Sequence, residues 1–190
     1  MTGSGVVAGA EDAGASVVCV PCAGAEAPSG ADVVRVTTGE EMFEAAAVHF
    51  ARCDVFVMCA AVCDYKPTRY TSQKTKKKQR PFSLALEPTR DILASLTNSP
   101  HTCLVVGFAA ETEELRESAQ RKLREKNCDL IVANDVGRAD IGMDSDDNEL
   151  LIFFKKGAPE KLSRAKKTEL ARALLKIILE AREKCLTKKT

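Results

Sequence analysis

The chain carries almost no excess charge: 28 Lys+Arg against 27 Asp+Glu leave a formal net charge of +1 over 190 residues. That balance excludes a globally basic nucleic-acid coat and an acidic disordered tail. No apolar run approaches the roughly 18 to 20 residues that a bilayer crossing needs. Met1 to Ala15 lacks both the basic start and the long apolar stretch of a secretory leader. There are only two histidines, His49 and His101, and neither joins a Ser/His/Asp or Cys/His constellation. Neither a Gly-x-Gly-x-x-Gly turn after a strand nor a Gly-x4-Gly-Lys-Ser/Thr loop is present, so the common dinucleotide and P-loop fingerprints are missing.

Cysteine, by contrast, is plentiful, with eight residues. Several sit in apolar runs such as Val55-Phe-Val-Met-Cys-Ala-Ala61, where a free thiol serves as a small hydrophobe. With no export signal, a reduced, cytoplasmic set is expected. Cys19-Val-Pro-Cys22 has redox spacing, but two residues alone do not define a redox motif. Cys59 and Cys63 lack the further ligands that a zinc site requires.

At 45% hydrophobic and 29% charged, 190 residues suffice for one domain with a substantial core. Short strands are expected at Ser16–Val20, Asp32–Thr37 and Phe82–Glu87, and buried strands at Asp54–Ala61, Cys103–Ala110 and Asp129–Ala133. Glu149–Phe154 reads as a strand at an edge or in a hairpin. Thr38-Gly-Glu-Glu41 has the form of a capping box, followed by Met42, Phe43, Ala46, Ala47 and Phe50 at helical spacing. Further helices are expected at Asp91–Leu96, Glu111–Asn127 and Ser163–Lys184, the last with Leu170, Ala171, Leu174, Leu175 and Ile178 on one face. No internal repeat is visible, and the one low-complexity stretch is the run of small residues from Gly3 to Gly30. Buried strands alternating with helices imply a three-layer, Rossmann-like α/β fold, a mostly parallel sheet with helices on both faces. Ligands in such sheets bind beyond the carboxyl ends of the strands.

Three segments there stand out. Between Tyr65 and Arg80 lie Lys66, Arg69, Lys74, Lys76, Lys77, Lys78 and Arg80 with no acid among them. Such a loop is either a solvated basic surface or a seat for a polyanion. Aromatic residues beside it are few, Tyr65, Tyr70 and Phe82, which argues against single-stranded nucleic acid. Gly107 inside a buried strand marks close approach of a ligand or of other chain, and Phe108 is either core or a platform for a base. Lys122 and Lys126, four apart, share one helix face and either pair with neighbouring glutamates or meet a triphosphate together.

Taken in order, Met58-Cys-Ala-Ala-Val-Cys-Asp-Tyr65, Gln73-Lys-Thr-Lys-Lys77, Asp91-Ile-Leu-Ala94, Val105-Val-Gly-Phe-Ala-Ala-Glu-Thr112, Lys126-Asn-Cys-Asp-Leu-Ile-Val-Ala-Asn-Asp-Val136 and Asp144-x-Asp-Asp-Asn148 resemble phosphopantothenoylcysteine synthetase of the bacterial type. The resemblance implies a phosphopantothenate–cysteine ligase of coenzyme A biosynthesis. Its substrates would be 4′-phosphopantothenate, cysteine and CTP, with Mg²⁺ assisting and an acyl-cytidylate as the intermediate. It implies a homodimer, no FMN, and a separate flavin-dependent decarboxylase as a possible partner.

Position by position, the resemblance assigns Met58, Cys59 and Ala60 to the base and ribose and Asp64 to the sugar or a metal-linked group. It assigns Lys74 to the triphosphate as the catalytic cation. Arg90, Asp91, Ile92 and Leu93 would form a helix start near phosphate, Phe108 would pack at the base, and Lys122 and Lys126 would add charge. The metal ligands are unassigned. Thr89-Arg90-Asp91 replaces the family's Asn-Pro-Asp, and the family's first strand, Gly-rich loop and Asn would fall before Met1. A catalytically inactive nucleotide-binding relative, acting as a partner or regulatory protein, is the competing reading.

Overall fold

Val55-Phe-Val-Met58 is apolar at every position, so the strand it forms (β3, Val55–Met58) is built to be covered on both faces. It lies at one end of a five-stranded sheet in the computed structural model, which describes residues 3–25, 27–71, 73–74, 82–111, 114–135 and 146–187. The order of that sheet is β3–β6–β7–β8–β9, with β6 at Leu104–Glu111, β7 at Leu130–Asp135, β8 at Asp147–Phe154 and β9 at Glu160–Lys166. β3, β6 and β7 run parallel, with Val55 opposite Leu104 and Val106 opposite Leu130; β8 and β9 complete the sheet as an antiparallel hairpin. Two two-stranded pieces stand apart. One is the parallel pair β1 (Val18–Cys19) and β2 (Asp32–Val33), and the other the antiparallel pair β4 (Tyr65–Pro67) and β5 (Leu86–Pro88).

Helices cover both faces. On one lie α2 (Gly39–Phe50), α3 (Ile92–Thr97) and α4 (Leu115–Glu125), with Met42, Ala46, Phe50, Leu93, Leu96, Ala119 and Leu123 packed on Val105, Ala109 and Ile131. On the other, α5 (Lys167–Thr187) buries Leu170, Leu174 and Ile178 against Leu104, Val106, Leu130, Val132, Leu150 and Ile152. α1 (Gly3–Asp12) packs on α5. No helix among the described residues is long and apolar enough to cross a membrane.

Local chemistry explains the helix starts. Thr38 Oγ1 accepts from the Glu41 N–H at 3.1 Å, while the Glu41 carboxylate accepts from the N–H groups of Thr37 and Thr38 at 2.7 and 3.1 Å, a complete capping box. Asp91 caps α3 by accepting from Ala94 N–H at 3.0 Å.

Four expectations require correction. The terminal helix starts at Lys167, because Glu160–Lys166 pairs with β8 instead; Lys161–Glu149 at 2.8 Å and Arg164–Asp147 at 3.1 Å tie the two strands. The stretch 3–12 is helical although it shows no apolar stripe, its support being α5. Tyr65–Pro67, expected within a loop, is a strand, and its partner is Leu86–Pro88, which overlaps the strand expected at Phe82–Glu87 only at Leu86 and Glu87. Lastly, the gap at Gly107 holds side chains: a Cβ there would lie 2.7 Å from Ile131 Cδ1, 3.1 Å from Leu93 Cδ2 and 3.4 Å from Cys128 Sγ. The missing side chain lets α3 press directly onto the sheet.

Candidate functional site

The three parallel strands point their carboxyl ends at one rim, where Met58 ends β3 and leads into Cys59 and Ala60, and Asn134 and Asp135 end β7. Beyond β3 the chain turns through Val62 to Asp64, and this segment is held to the start of α3. Thr89 N–H donates to the Asp64 carbonyl at 2.8 Å, and Thr89 Oγ1 donates to the Cys63 carbonyl. Val62 also abuts the first turn of α2, where a Cβ on Gly39 would lie 3.1 Å from Val62 Cγ1. The amino ends of α2 and α3 thus gather around the exit of β3.

Arg90 links those two ends. Its guanidinium pairs with Glu40 at 3.0 Å and lies 4.2 Å above the centre of the Phe43 ring. Next to it, Asp91 receives Lys126 Nζ at 3.3 Å. Lys126 is the C-cap of α4, and its own carbonyl accepts from Thr97 Oγ1 at 2.9 Å, so the main chain at Lys126 is anchored on α3. Both ion pairs are about half exposed, and such pairs hold together with only about 0–1 kcal/mol. Charge-assisted bonds to a phosphate are stronger. An arriving polyanion can therefore take Arg90 and Lys126 from their carboxylates at small cost.

The structure thus unites Arg90, Asp91, Lys126 and the Cys63–Asp64 turn, and it separates others. Phe108 is half-buried on the opposite face, among residues covered by α5, because strand alternation puts it with Val106 rather than with Val105 and Ala109. Ile92 and Leu93 are buried core residues, 3% and 5% exposed, so only their backbone can meet a ligand. The Ala94 N–H at the amino end of α3 is already taken by the Asp91 carboxylate, which would compete with a phosphate for it. Lys122 is half-buried on α4. Lys74 is exposed in the connection between β4 and β5 and makes no ion pair among the described residues. Lys76, Lys77, Lys78 and Arg80 of the basic loop lie outside the described residues, as does Val136, and Lys66 pairs with Glu87 at 3.6 Å.

Burial pushes the Cys59 thiol up to about 12. It stays protonated at neutral pH and brings no anionic sulfur to the rim. No cluster of three or more His, Cys, Asp or Glu able to hold a metal occurs among the described residues.

Sequence reasoning did not single out Glu40, Phe43 or Thr89. The first two were legible only as first-turn and core positions of α2, and Thr89 only as a departure from a motif. Their roles depend on α2 and α3 meeting, which no local pattern states.

A doubly wound α/β domain with paired cations and carboxylates beyond the strand ends is therefore the class of this protein. The family model for the DNA/pantothenate metabolism flavoprotein C-terminal domain matches residues 1–181, and the chain belongs to that family. It is 36% identical over 160 residues to the coenzyme A biosynthesis bifunctional protein CoaBC of Haemophilus influenzae, covering 84% of this chain and 40% of that protein. The crystal structure of the C-terminal domain of a CoaBC protein superposes with a TM-score of 0.77 at 32% identity, covering 95% of this chain and 82% of that one. A Cab2 mutant in complex with phosphopantothenate-cysteine has the same fold, with a TM-score of 0.74 at 16% identity over 99% of this chain and 79% of that one. The chain spans about two fifths of the length of the curated relatives it matches.

Proposed function

We propose that the chain is a phosphopantothenate–cysteine ligase of coenzyme A biosynthesis, working in the cytoplasm. The carboxylate of 4′-phosphopantothenate attacks the α-phosphate of CTP, and pyrophosphate leaves. The amine of cysteine then attacks the acyl-cytidylate, and CMP leaves. The observation that carries this reading is the family match over residues 1–181, whose motif residues Asp64, Arg90, Asp91 and Lys126 meet at one rim. Mg²⁺ belongs to this reading as the counter-ion of the triphosphate.

In this scheme Met58, Cys59 and Ala60 offer backbone groups to the base and ribose, and Asp64 holds the sugar. Arg90, Lys122 and Lys126 take charge from the triphosphate, and Lys74 closes on it as pyrophosphate departs. Such charge stabilisation supplies most of the rate in acyl and phosphoryl transfers. Phe108, on the far face, reaches the base only from the other side of the sheet. The homodimer in this proposal is supported by exposed apolar side chains on and beside the β4–β5 pair: Tyr65, Phe82, Leu84 and Leu86 are all more than half exposed.

The test is a CTP titration with Mg²⁺, followed by pyrophosphate release with 4′-phosphopantothenate and cysteine. Saturable binding with release that depends on phosphopantothenate, and CMP formation that depends on cysteine, support the ligase. Binding without turnover supports the inactive relative and overturns the ligase reading. Lys74→Ala should weaken CTP binding more than Lys78→Ala; equal losses would make the loop a diffuse charge patch.

A further inference from the structure

Residues 59–64 belong to no helix or strand, yet they carry Asp64, which the ligase reading sets against the nucleotide sugar. Cys63 and Asp64 are exposed, and no side chain among the described residues pairs with the Asp64 carboxylate. The place of that carboxylate is therefore decided by its own main chain. An exposed turn with few contacts opens easily unless its backbone is tied down.

This turn is tied on two sides. On one, Val62 packs on the core and against the first residue of α2, where a Cβ on Gly39 would lie 3.1 Å from Val62 Cγ1. On the other, a single residue takes both of the carbonyls that follow. Thr89 N–H donates to the Asp64 carbonyl at 2.8 Å, and Thr89 Oγ1 donates to the Cys63 carbonyl. Thr89 is half-buried and is itself fixed from both directions. Pro88 before it pairs with Tyr65 in the β4–β5 ladder, and Asp91 beyond it caps α3 by accepting from the Ala94 N–H at 3.0 Å. Any residue except proline could make the first bond, but the second needs a hydroxyl on Cβ, which only Ser and Thr supply.

We infer that Thr89 is a positioning residue for Asp64: its two hydrogen bonds hold the Cys63–Asp64 turn against the start of α3, in the place from which Asp64 meets the sugar of the nucleoside triphosphate. This deepens the ligase reading and rests on it, since it needs a nucleotide at this rim. The benefit is pre-organisation. A turn ordered by folding does not have to be ordered again when the nucleotide arrives, and the affinity is higher by that saving. Loss of the hydroxyl leaves the Cys63 carbonyl exposed, where water replaces the bond, so the fold is spared while the turn loosens.

The test is a calorimetric titration of the full chain with CTP and Mg²⁺, with Tm measured in parallel. Thr89→Val, which keeps the shape and the N–H but removes the hydroxyl, should bind CTP roughly 3- to 10-fold more weakly at nearly unchanged Tm. Thr89→Ser, which restores the hydroxyl, should bind like the wild type. Because Thr89 acts through Asp64, Thr89→Val combined with Asp64→Asn should bind no more weakly than Asp64→Asn alone. Wild-type affinity in Thr89→Val or in Asp64→Asn, or losses that simply add in the double variant, overturns the inference and leaves the ligase reading standing. A wild type that neither binds nor turns over CTP overturns both.

Discussion

Replacing Gly107 by Ala tests how α3 is seated. The new methyl would stand 2.7 Å from Ile131 Cδ1 and 3.1 Å from Leu93 Cδ2, where carbon contacts prefer about 3.5–4.0 Å. Ile131 and Leu93 are 1% and 5% exposed, so neither can swing into solvent. Overpacking of this kind costs about 1–3 kcal/mol. Loss of glycine freedom in the unfolded chain returns about 0.4–1 kcal/mol. A net loss of about 1–2 kcal/mol remains, which for a chain of this size lowers Tm by roughly 2–8 °C. Urea and thermal unfolding followed by circular dichroism measure it. Ile131→Val removes the atom in conflict. Alone it should cost about 0.5–1.5 kcal/mol; added to Gly107→Ala it should cost nothing or restore stability, a coupling of at least about 0.5 kcal/mol. Strict additivity of the two changes would refute the proposed contact and, with it, the claim that the glycine exists to admit α3.

Arg90→Ala should weaken CTP binding by calorimetry while leaving Tm nearly unchanged, because the exposed pair with Glu40 adds little stability. Thr38→Ala should cost about 1 kcal/mol in urea unfolding by removing the α2 cap. The Glu41 carboxyl is held below its ordinary pKa by the N–H groups of Thr37 and Thr38. Its stabilisation is therefore present above the unfolded carboxylate pKa and lost as pH falls through the folded value. The stability gap between wild type and Glu41→Ala should close in acid, and a gap constant with pH would contradict this. Burial pushes the thiols of Cys59 and Cys128 up to about 12. At pH 8 iodoacetamide should label both far more slowly than exposed Cys22, Cys63 and Cys185, as timed peptide mapping would record.

Signals confined to a few residues were the ones legible in the sequence. Thr38 and Glu41 announce the α2 cap within four positions, and Asp91 announces α3. Cys103–Ala110 and Asp129–Ala133 announce the central strands by unbroken apolarity. Strand β9 could not be seen this way. Glu160–Lys166 is polar and at an edge, and its charges make sense only once Glu149 and Asp147 stand opposite. α1 is built of small residues whose packing surface belongs to α5. At the site, the family resemblance supplied Arg90, Asp91 and Lys126. Their arrangement follows from α3 lying against both α2 and α4, a tertiary fact with no local signature. The side of the sheet that Phe108 faces is fixed by single-residue parity along β6, and the motif that contains it is silent about parity.

The covering of the sheet has an order imposed by synthesis. Residues on the face of Leu104, Val106, Leu130 and Ile152 find their cover in α5, which follows every strand in the chain. α1, which precedes these strands in the chain, leans on that same helix. Until the stretch around Leu170 to Ile178 leaves the ribosome, half of the central strands' apolar surface has no lid, and the nascent protein is most exposed to aggregation in that interval. Truncations within α5 should therefore give insoluble chains, whereas the surface around Arg90, assembled from α2 and α3, forms earlier from residues already released.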